Sequence, residues 1–471
     1  MNFISGWFFL FLLVVLLGYF LLPHKVRWLW LLIASYFFYA VGSYWLVFLI
    51  FSVTLVCYAC AIGIKKFERH KKAFLVLAFV VSFGPLFVFK YLDFAIGTVS
   101  FFAKLMGNSR GFDAINIILP IGISFYTFQS LSYVVDVYRG KNEPEKHFGY
   151  FALFVSFFPQ LVAGPIERFD NLMPQLKQEH HFDPDDFFLG ARYMLLGFMK
   201  KVIIADFLAI IVNEVYGDIP GHDGGMILVA TACFAFQIYG DFSGYSDIAK
   251  GAAKMMGIDL MENFNSPYLA TSIRDFWRRW HISLSRWFTD YVYIPLGGNK
   301  NGKARQCLNI FIVFLLSGLW HGANWKFVVW GAIHGLLLVI ETLLPHKGKE
   351  CHPVLVRFKR IGVFLLVDFA WIFFRAGSIG EAGLAIGKLF TSWNLVTGIG
   401  AYFTLEVTLR LLMCAGLLAL GRCLPTINFK EDWNRGAVAV MVSCFAIVLI
   451  GLCWASNDYS GGGSAFIYFQ F

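Results

Sequence analysis

FISGWFFLFLLVVLLGYFLL, Phe3 to Leu22, is the stretch that decides the fold. It carries no charge, and a helix needs about 20 mostly apolar residues to cross the hydrocarbon core of a bilayer. No charged segment precedes it and no A-x-A-like site follows, so it reads as a retained first helix and not as a signal peptide. Comparable runs recur as far as Trp454, at 27–42, 45–64, 73–90, 115–137, 149–164, 190–215, 226–250, 308–323, 326–344, 361–374, 404–421 and 436–454. The expected fold class is therefore all-α, a polytopic integral membrane protein with no room for a soluble domain of ordinary size.

Composition agrees. Of 471 residues, 58% are hydrophobic and only 15% charged, where soluble domains carry about 25%. The net charge of +9 resides in short loops beside apolar runs, the pattern that positive-inside bias produces. A basic face on a soluble fold, the signature of nucleic-acid binding, is missing from this pattern. The densest basic loop, KKFERHKK (65–72), is expected in the cytoplasm, which places the N-terminus outside after three crossings. Lys430 and Arg435 put the last loop inside and the C-terminus outside as well. Both ends outside needs an even count, so about 12 of the thirteen runs should cross, with the remainder re-entrant. Most of the nine cysteines lie inside apolar runs, and Cys57-x-x-Cys60 has no second pair or histidine cluster beside it, so no metal site is expected.

Two stretches interrupt the membrane pattern, 166–189 and 259–307. In the second, RDFWRRWHISLSRWF (274–288) places Phe276, Trp277, Trp280, Leu284, Trp287 and Phe288 at helical spacing. Arg274, Arg278 and Arg286 fall largely opposite. This predicts one amphipathic helix lying in the interface with membrane lipid. His281, at the border of the aromatic stripe, is unnecessary for anchoring. Next, YIPLGGNKNGKARQ (293–306) marks a tight turn at Pro295, Gly297, Gly298 and Gly302, ringed by Lys300, Lys303 and Arg305. Backbone amides with such cations can hold a phosphate, and an ordinary positive loop has the same composition.

The sharper feature is His321 in LLSGLWHGANWKFVVWGAIHG (315–335). An ionisable side chain in so apolar a region is costly and by default a functional candidate. Gly318, Gly322 and Ala323 permit close backbone approach around it. A buried neutral imidazole suits a general base; a structural histidine bonded to a neighbouring helix is the bland alternative. His334 is expected on a different face and near a helix end, hence structural. Asp241 and Asp247 in GDFSGYSD read as bonded between helices or as functional.

Together, DFWRRWHISLSRWFTDYVYIPLGGNK (275–300) and SGLWHGANWKFVVWGAIHG (317–335) resemble the membrane-bound O-acyltransferase superfamily, in its bacterial alginate and peptidoglycan O-acetyltransferase branch. Further matches are LPIGISFYTFQSLSYVVDVYRG (119–140), FFPQLVAGPIER (157–168) and FQIYGDFSGYSDIAKG (236–251). The resemblance implies a fold with re-entrant and interfacial helices around a central tunnel, in a bacterial inner membrane. His321 would be the catalytic histidine and His281 the second family position, orienting the thioester or steadying an oxyanion. It implies acetyl-CoA as donor and no tightly bound cofactor; by charge and not by resemblance, Lys300, Lys303 and Arg305 are candidates to meet its phosphates, with Arg278 and Trp280 as further candidate contacts. It further implies an extracytoplasmic polysaccharide acceptor and a partner resembling SGNH hydrolases. The tail SGGGSAFIYFQF, in the segment 456–471 that follows a membrane domain of 1–455, resembles the aromatic tails of related acyl exporters. There Tyr468 would relay the acyl group; an aromatic interfacial anchor is the alternative. A transporter is the competing class, since buried His and Asp residues such as Asp368 suit one, but no repeat relates the two halves.

Overall fold

The computed structural model describes residues 3–42, 44–107, 115, 120, 122–162, 164–344, 352–393, 412, 416 and 466. Among these every regular element is helical, and they divide into two units: 1–190 with 249–261, and 191–248 with 262–471. The expected spans 404–421 and 436–454 lie almost wholly outside the described residues.

The first unit holds α1 (Gly6–Leu21), α2 (His24–Ala40), α3 (Tyr44–Lys66), α4 (Lys71–Leu86), α5 (Leu92–Leu105), α6 (Ile123–Tyr138), α7 (Phe148–Ser156), α8 (Phe158–Leu161) and α9 (Phe169–Lys177). α1 is apolar on every side. It buries Phe8, Phe11, Leu12 and Val15 and leaves Trp7, Leu10, Leu13 and Leu17 uncovered, as a helix facing protein on one side and lipid on the other must. Gly18 lets the ring of Trp30 lie on α1, where its indole N–H donates to the Val15 carbonyl at 3.0 Å.

Two boundaries differ from the sequence expectation. The run expected at 73–90 continues helically through a π turn, Phe87–Tyr91, as far as Leu105. Lys90 and Asp93 interrupt the apolar pattern without breaking the backbone. The expected span at 149–164 does not cross: α7 stops at Ser156, and Phe157 turns the chain before Pro159 starts α8. Nine residues rise about 14 Å, half of a bilayer core of about 30 Å, and Phe151, Leu153, Phe154 and Phe157 are completely buried. It is an internal, re-entrant-like element. The polar stretch after it anchors on Glu167, which accepts from the Met261 amide at 2.5 Å and Asn171 Nδ2 at 2.7 Å.

α10 (Pro184–Phe198) begins in the first unit and ends in the second. The second unit continues with α11 (Asp206–Gly217), most of α12 (Gly224–Lys254), α13 (Ile273–Arg279), α14 (Ile282–Phe288), α15 (Gly302–His321), α16 (Trp325–Leu343), α17 (Pro353–Arg375) and α18 (Ile379–Thr391). Four helical runs among the described residues are long and apolar enough to cross a membrane: Tyr44–Lys66, Glu68–Leu105, Gly224–Lys254 and Trp325–Leu343. α18 has no counterpart among the expected runs. α15 and α16 form the tightest pair, because Gly318 and Gly331 face each other and a methyl on either would collide with the Phe327 or Phe314 carbonyl. Small residues bring membrane helices together in this way.

Candidate active site

The stretch expected as one interfacial helix over 274–288 is two short ones. α13 ends at Arg279, and His281 takes the left-handed conformation (φ 44°, ψ 55°) before α14 begins. The break is stabilised from outside: the Asn265 N–H donates to the Arg279 carbonyl and the Ile282 N–H to the Asn263 carbonyl, each at 2.9 Å. Two backbone groups freed by the bend thus find partners in an irregular segment that helix periodicity could not reveal. The aromatic side of the segment faces protein and not lipid, with Phe276 and Trp280 fully buried, while Arg278 and Arg286 are exposed.

Asn263 also organises the imidazole. Its Oδ1 accepts from Ser283 Oγ at 2.7 Å and lies 3.2 Å from His281 Nδ1, while its Nδ2 donates to Ser246 Oγ at 3.2 Å. An amide oxygen only accepts, so Nδ1 of His281 carries the proton. Burial pushes this histidine down to about 3, so the ring is neutral and its Nε2 bears the lone pair. A ring in that state accepts a hydrogen bond at Nε2, which suits the first of the two roles expected for it. Phe242 lies edge-on at 4.6 Å and Trp320 at 5.8 Å between ring centres.

His321 is the last residue of α15 and is 3% exposed. Rings surround it edge-on: Trp320 and Trp330 at 5.0 Å and Phe374 of α17 at 5.4 Å. Gly322 ends the helix and lies under the ring of Phe327, which has no room for a side chain there. Asn324 then caps α16, accepting from the Lys326 N–H at 3.0 Å.

That chain break places His334 elsewhere than the helical spacing predicts. Counting helical positions from 321 to 334 assumes one continuous helix, yet the backbone restarts at Trp325. His334 lies within α16, fully buried, 4.9 Å from the Trp330 ring that also meets His321. Trp277 Nε1, which can only donate, points at His334 Nδ1 at 3.3 Å. His334 therefore carries its proton on Nε2. Neither that Nε2 nor Trp330 Nε1 has a hydrogen-bond partner among the described residues. A buried donor in that condition costs about 1 to 3 kcal/mol.

The glycine turn forms as expected, with Gly297, Gly298 and Gly302 at positive φ. Buried Asn309 of α15, which composition gave no reason to single out, clamps it by donating to the carbonyls of Gly298 (2.9 Å) and Leu296 (3.2 Å). Lys300, Lys303 and Arg305 are exposed around the turn. Trp280 instead belongs to the interior, against Phe264 and Trp371.

Sequence reasoning also passed over Lys200 and Lys201. They share a π turn, Met199–Ala205, an irregularity frequent at functional positions. Lys201 bridges Asp241 at 2.6 Å and Asp206 at 2.9 Å, and Lys200 meets Asp247 at 2.5 Å. The two aspartates left open above are thus ion-paired. Phe466 of the C-terminal tail is buried completely, 4.4 Å from Tyr245 and 5.7 Å from the same Phe242 that abuts His281. Tyr468 lies outside the described residues.

Residues 146–346, which contain both histidine segments, match the model of the membrane-bound O-acyltransferase family. A probable alginate O-acetylase of Pseudomonas putida is 37% identical over 487 residues, covering 98% of each chain. The chain belongs to the membrane-bound O-acyltransferase family. A probable alginate O-acetylase of Pseudomonas syringae pv. tomato is 41% identical over 84% of this chain and 76% of its own length. A peptidoglycan O-acetyltransferase of Helicobacter pylori is 31% identical over 98% of this chain and 96% of its own. The protein is accordingly a membrane O-acyltransferase of the bacterial O-acetyltransferase branch, and the transporter reading gives way.

Proposed function

We propose that this acyltransferase moves acetyl groups from cytoplasmic acetyl-CoA across the bacterial inner membrane for O-acetylation of an extracytoplasmic polysaccharide, with His321 as general base. The observation that carries the reading is His321 itself, a buried imidazole at a helix end inside an aromatic shell. In the step, His321 takes the proton of an acceptor hydroxyl as its oxygen attacks the thioester carbonyl carbon. The carbon–sulfur bond then breaks, and the leaving thiolate receives that proton. Proton transfer of this kind contributes about 10² to 10⁴ in rate. His281, neutral and held by Asn263, orients the hydroxyl through its Nε2 lone pair.

The exposed cations Lys300, Lys303 and Arg305 meet the phosphates of the CoA, with Arg278 beside them, and Trp280 backs the site from within. With 3% of His321 exposed, substrates reach it only as ring side chains move aside to open the tunnel. The membrane domain is 1–455, and the tail 456–471 brings Tyr468 to the site as the first acceptor. Its docking is supported by the seat of Phe466 on Tyr245 and Phe242. Both termini lie outside, where an SGNH-hydrolase-like partner collects the acetyl group for the glycan.

After incubation with acetyl-CoA, mass spectrometry of the C-terminal peptide is expected to show a 42-dalton adduct of about one acetyl group on Tyr468. Tyr468→Phe abolishes both the adduct and polymer acetylation. Full polymer acetylation by Tyr468→Phe sinks the relay while leaving the base assignment standing.

A further inference from the structure

Acyl transfer through a thioester creates negative charge on the carbonyl oxygen, and the largest single contribution to such catalysis is usually a donor set waiting for that charge. His281 does not supply one, since its only ring proton is committed to Asn263. The search for donors leads to α16. Trp330 and His334 are four residues apart and so share one face of the helix. Both are fully buried. Trp277 fixes the tautomer of His334 so that its Nε2 bears hydrogen, and neither this N–H nor that of Trp330 has a partner among the described residues. Their rings touch at 4.9 Å, and Trp330 touches His321 at 5.0 Å.

Two donors side by side with no acceptor are unusual in a packed interior, where nearly all buried polar groups are satisfied. Here Trp330 adjoins the one residue whose chemistry generates an oxygen in need of a donor, and His334 lies against Trp330. We propose that the N–H groups of Trp330 and His334 bind the acyl donor's carbonyl oxygen as it becomes an oxyanion. The inference rests on His321 being the base. During attack the carbonyl π pair moves onto this oxygen, which the two N–H groups hold. It returns to re-form C=O as the thiolate departs, so neither residue gains or loses a proton.

The test uses full-length protein in detergent with acetyl-CoA. Trp330→Phe keeps an aromatic ring and deletes the N–H. Its kcat is expected to fall about 100-fold, the usual loss for one such donor, with KM for acetyl-CoA changed less than about threefold. His334→Leu should behave similarly, and His334→Gln, which restores a donor, should recover part of the rate. Wild-type kcat in folded Trp330→Phe and His334→Leu overturns the proposal. A second readout does not depend on turnover. In the His321→Ala background, the infrared carbonyl band of bound 13C-carbonyl acetyl-CoA should lie below that of free acetyl-CoA, and adding either Trp330→Phe or His334→Leu should return it toward the free value. A band that neither change moves also overturns it. Full activity of His321→Ala would instead remove the base assignment, a failure distinct from loss of the donor pair.

Discussion

The two candidate histidines sit in opposite kinds of surroundings. His281 is held by polar geometry: a backbone bend, two main-chain hydrogen bonds to an irregular segment, and an amide that dictates its tautomer. His321 ends a regular helix and is encased in the edges and faces of three rings. On the proposed roles, the contrast separates orientation from proton exchange. A group that must keep one protonation state gains from a rigid amide partner, whereas a base that cycles its proton gains from a soft aromatic shell.

The largest effect that can break this contrast is expected at His321. Replacing it with Ala should lower transfer by about 10² to 10⁴ with the melting temperature little changed; retained activity in an assay of polymer acetylation removes the distinction. Next, Gly331→Ala forces α15 and α16 apart at the Phe314 carbonyl. Relocating a base by about 1 Å can cost about 100-fold, so activity should fall by up to that factor, together with thermal stability. Unaltered melting and turnover would show that the close approach is unimportant. Asn263→Ala frees the His281 ring and strands Ser283 and the imidazole. A loss of about 1 to 3 kcal/mol in stability is expected, with a smaller fall in kcat than His321→Ala gives, measured by denaturation and turnover on the same preparation.

The smallest effect concerns Glu167 of the first unit. Burial raises its carboxyl from 4.5 to about 7 despite the N–H donors of Met261 and Asn171. A carboxyl that binds its proton more tightly when folded makes the native state lose stability as pH rises from about 4.5 to 7, with no further change above. Glu167→Gln should flatten the melting temperature over that window. If the wild-type slope persists in the variant, the dependence arises elsewhere.

Much of this was legible in the chain. Uncharged apolar runs such as Phe3–Leu22 announce a membrane protein because lipid tolerates little else, and His321 stood out because an imidazole in such a run is expensive. Element breaks were less visible. The run RDFWRRWHISLSRWF has helical periodicity throughout, and only the distant Asn263 and Asn265 supply the bonds that let it bend at His281. Similarly, Pro159 was present to be read, but the apolar sequence around it hid a helix of nine residues that is buried instead of spanning. The W-x-x-x-H spacing of Trp330 and His334 did carry a usable signal, since it places both on one helix face, but it was obscured by counting register across the break at Gly322.

The left-handed backbone at His281 bears on how this enzyme should be probed. Few residues other than glycine adopt φ near 44° without strain, and asparagine is the best tolerated of them. An alanine scan at 281 therefore mixes two defects, a distorted main chain and a missing imidazole. Asparagine there is the cleaner control, because it accepts the bend and isolates what the ring contributes.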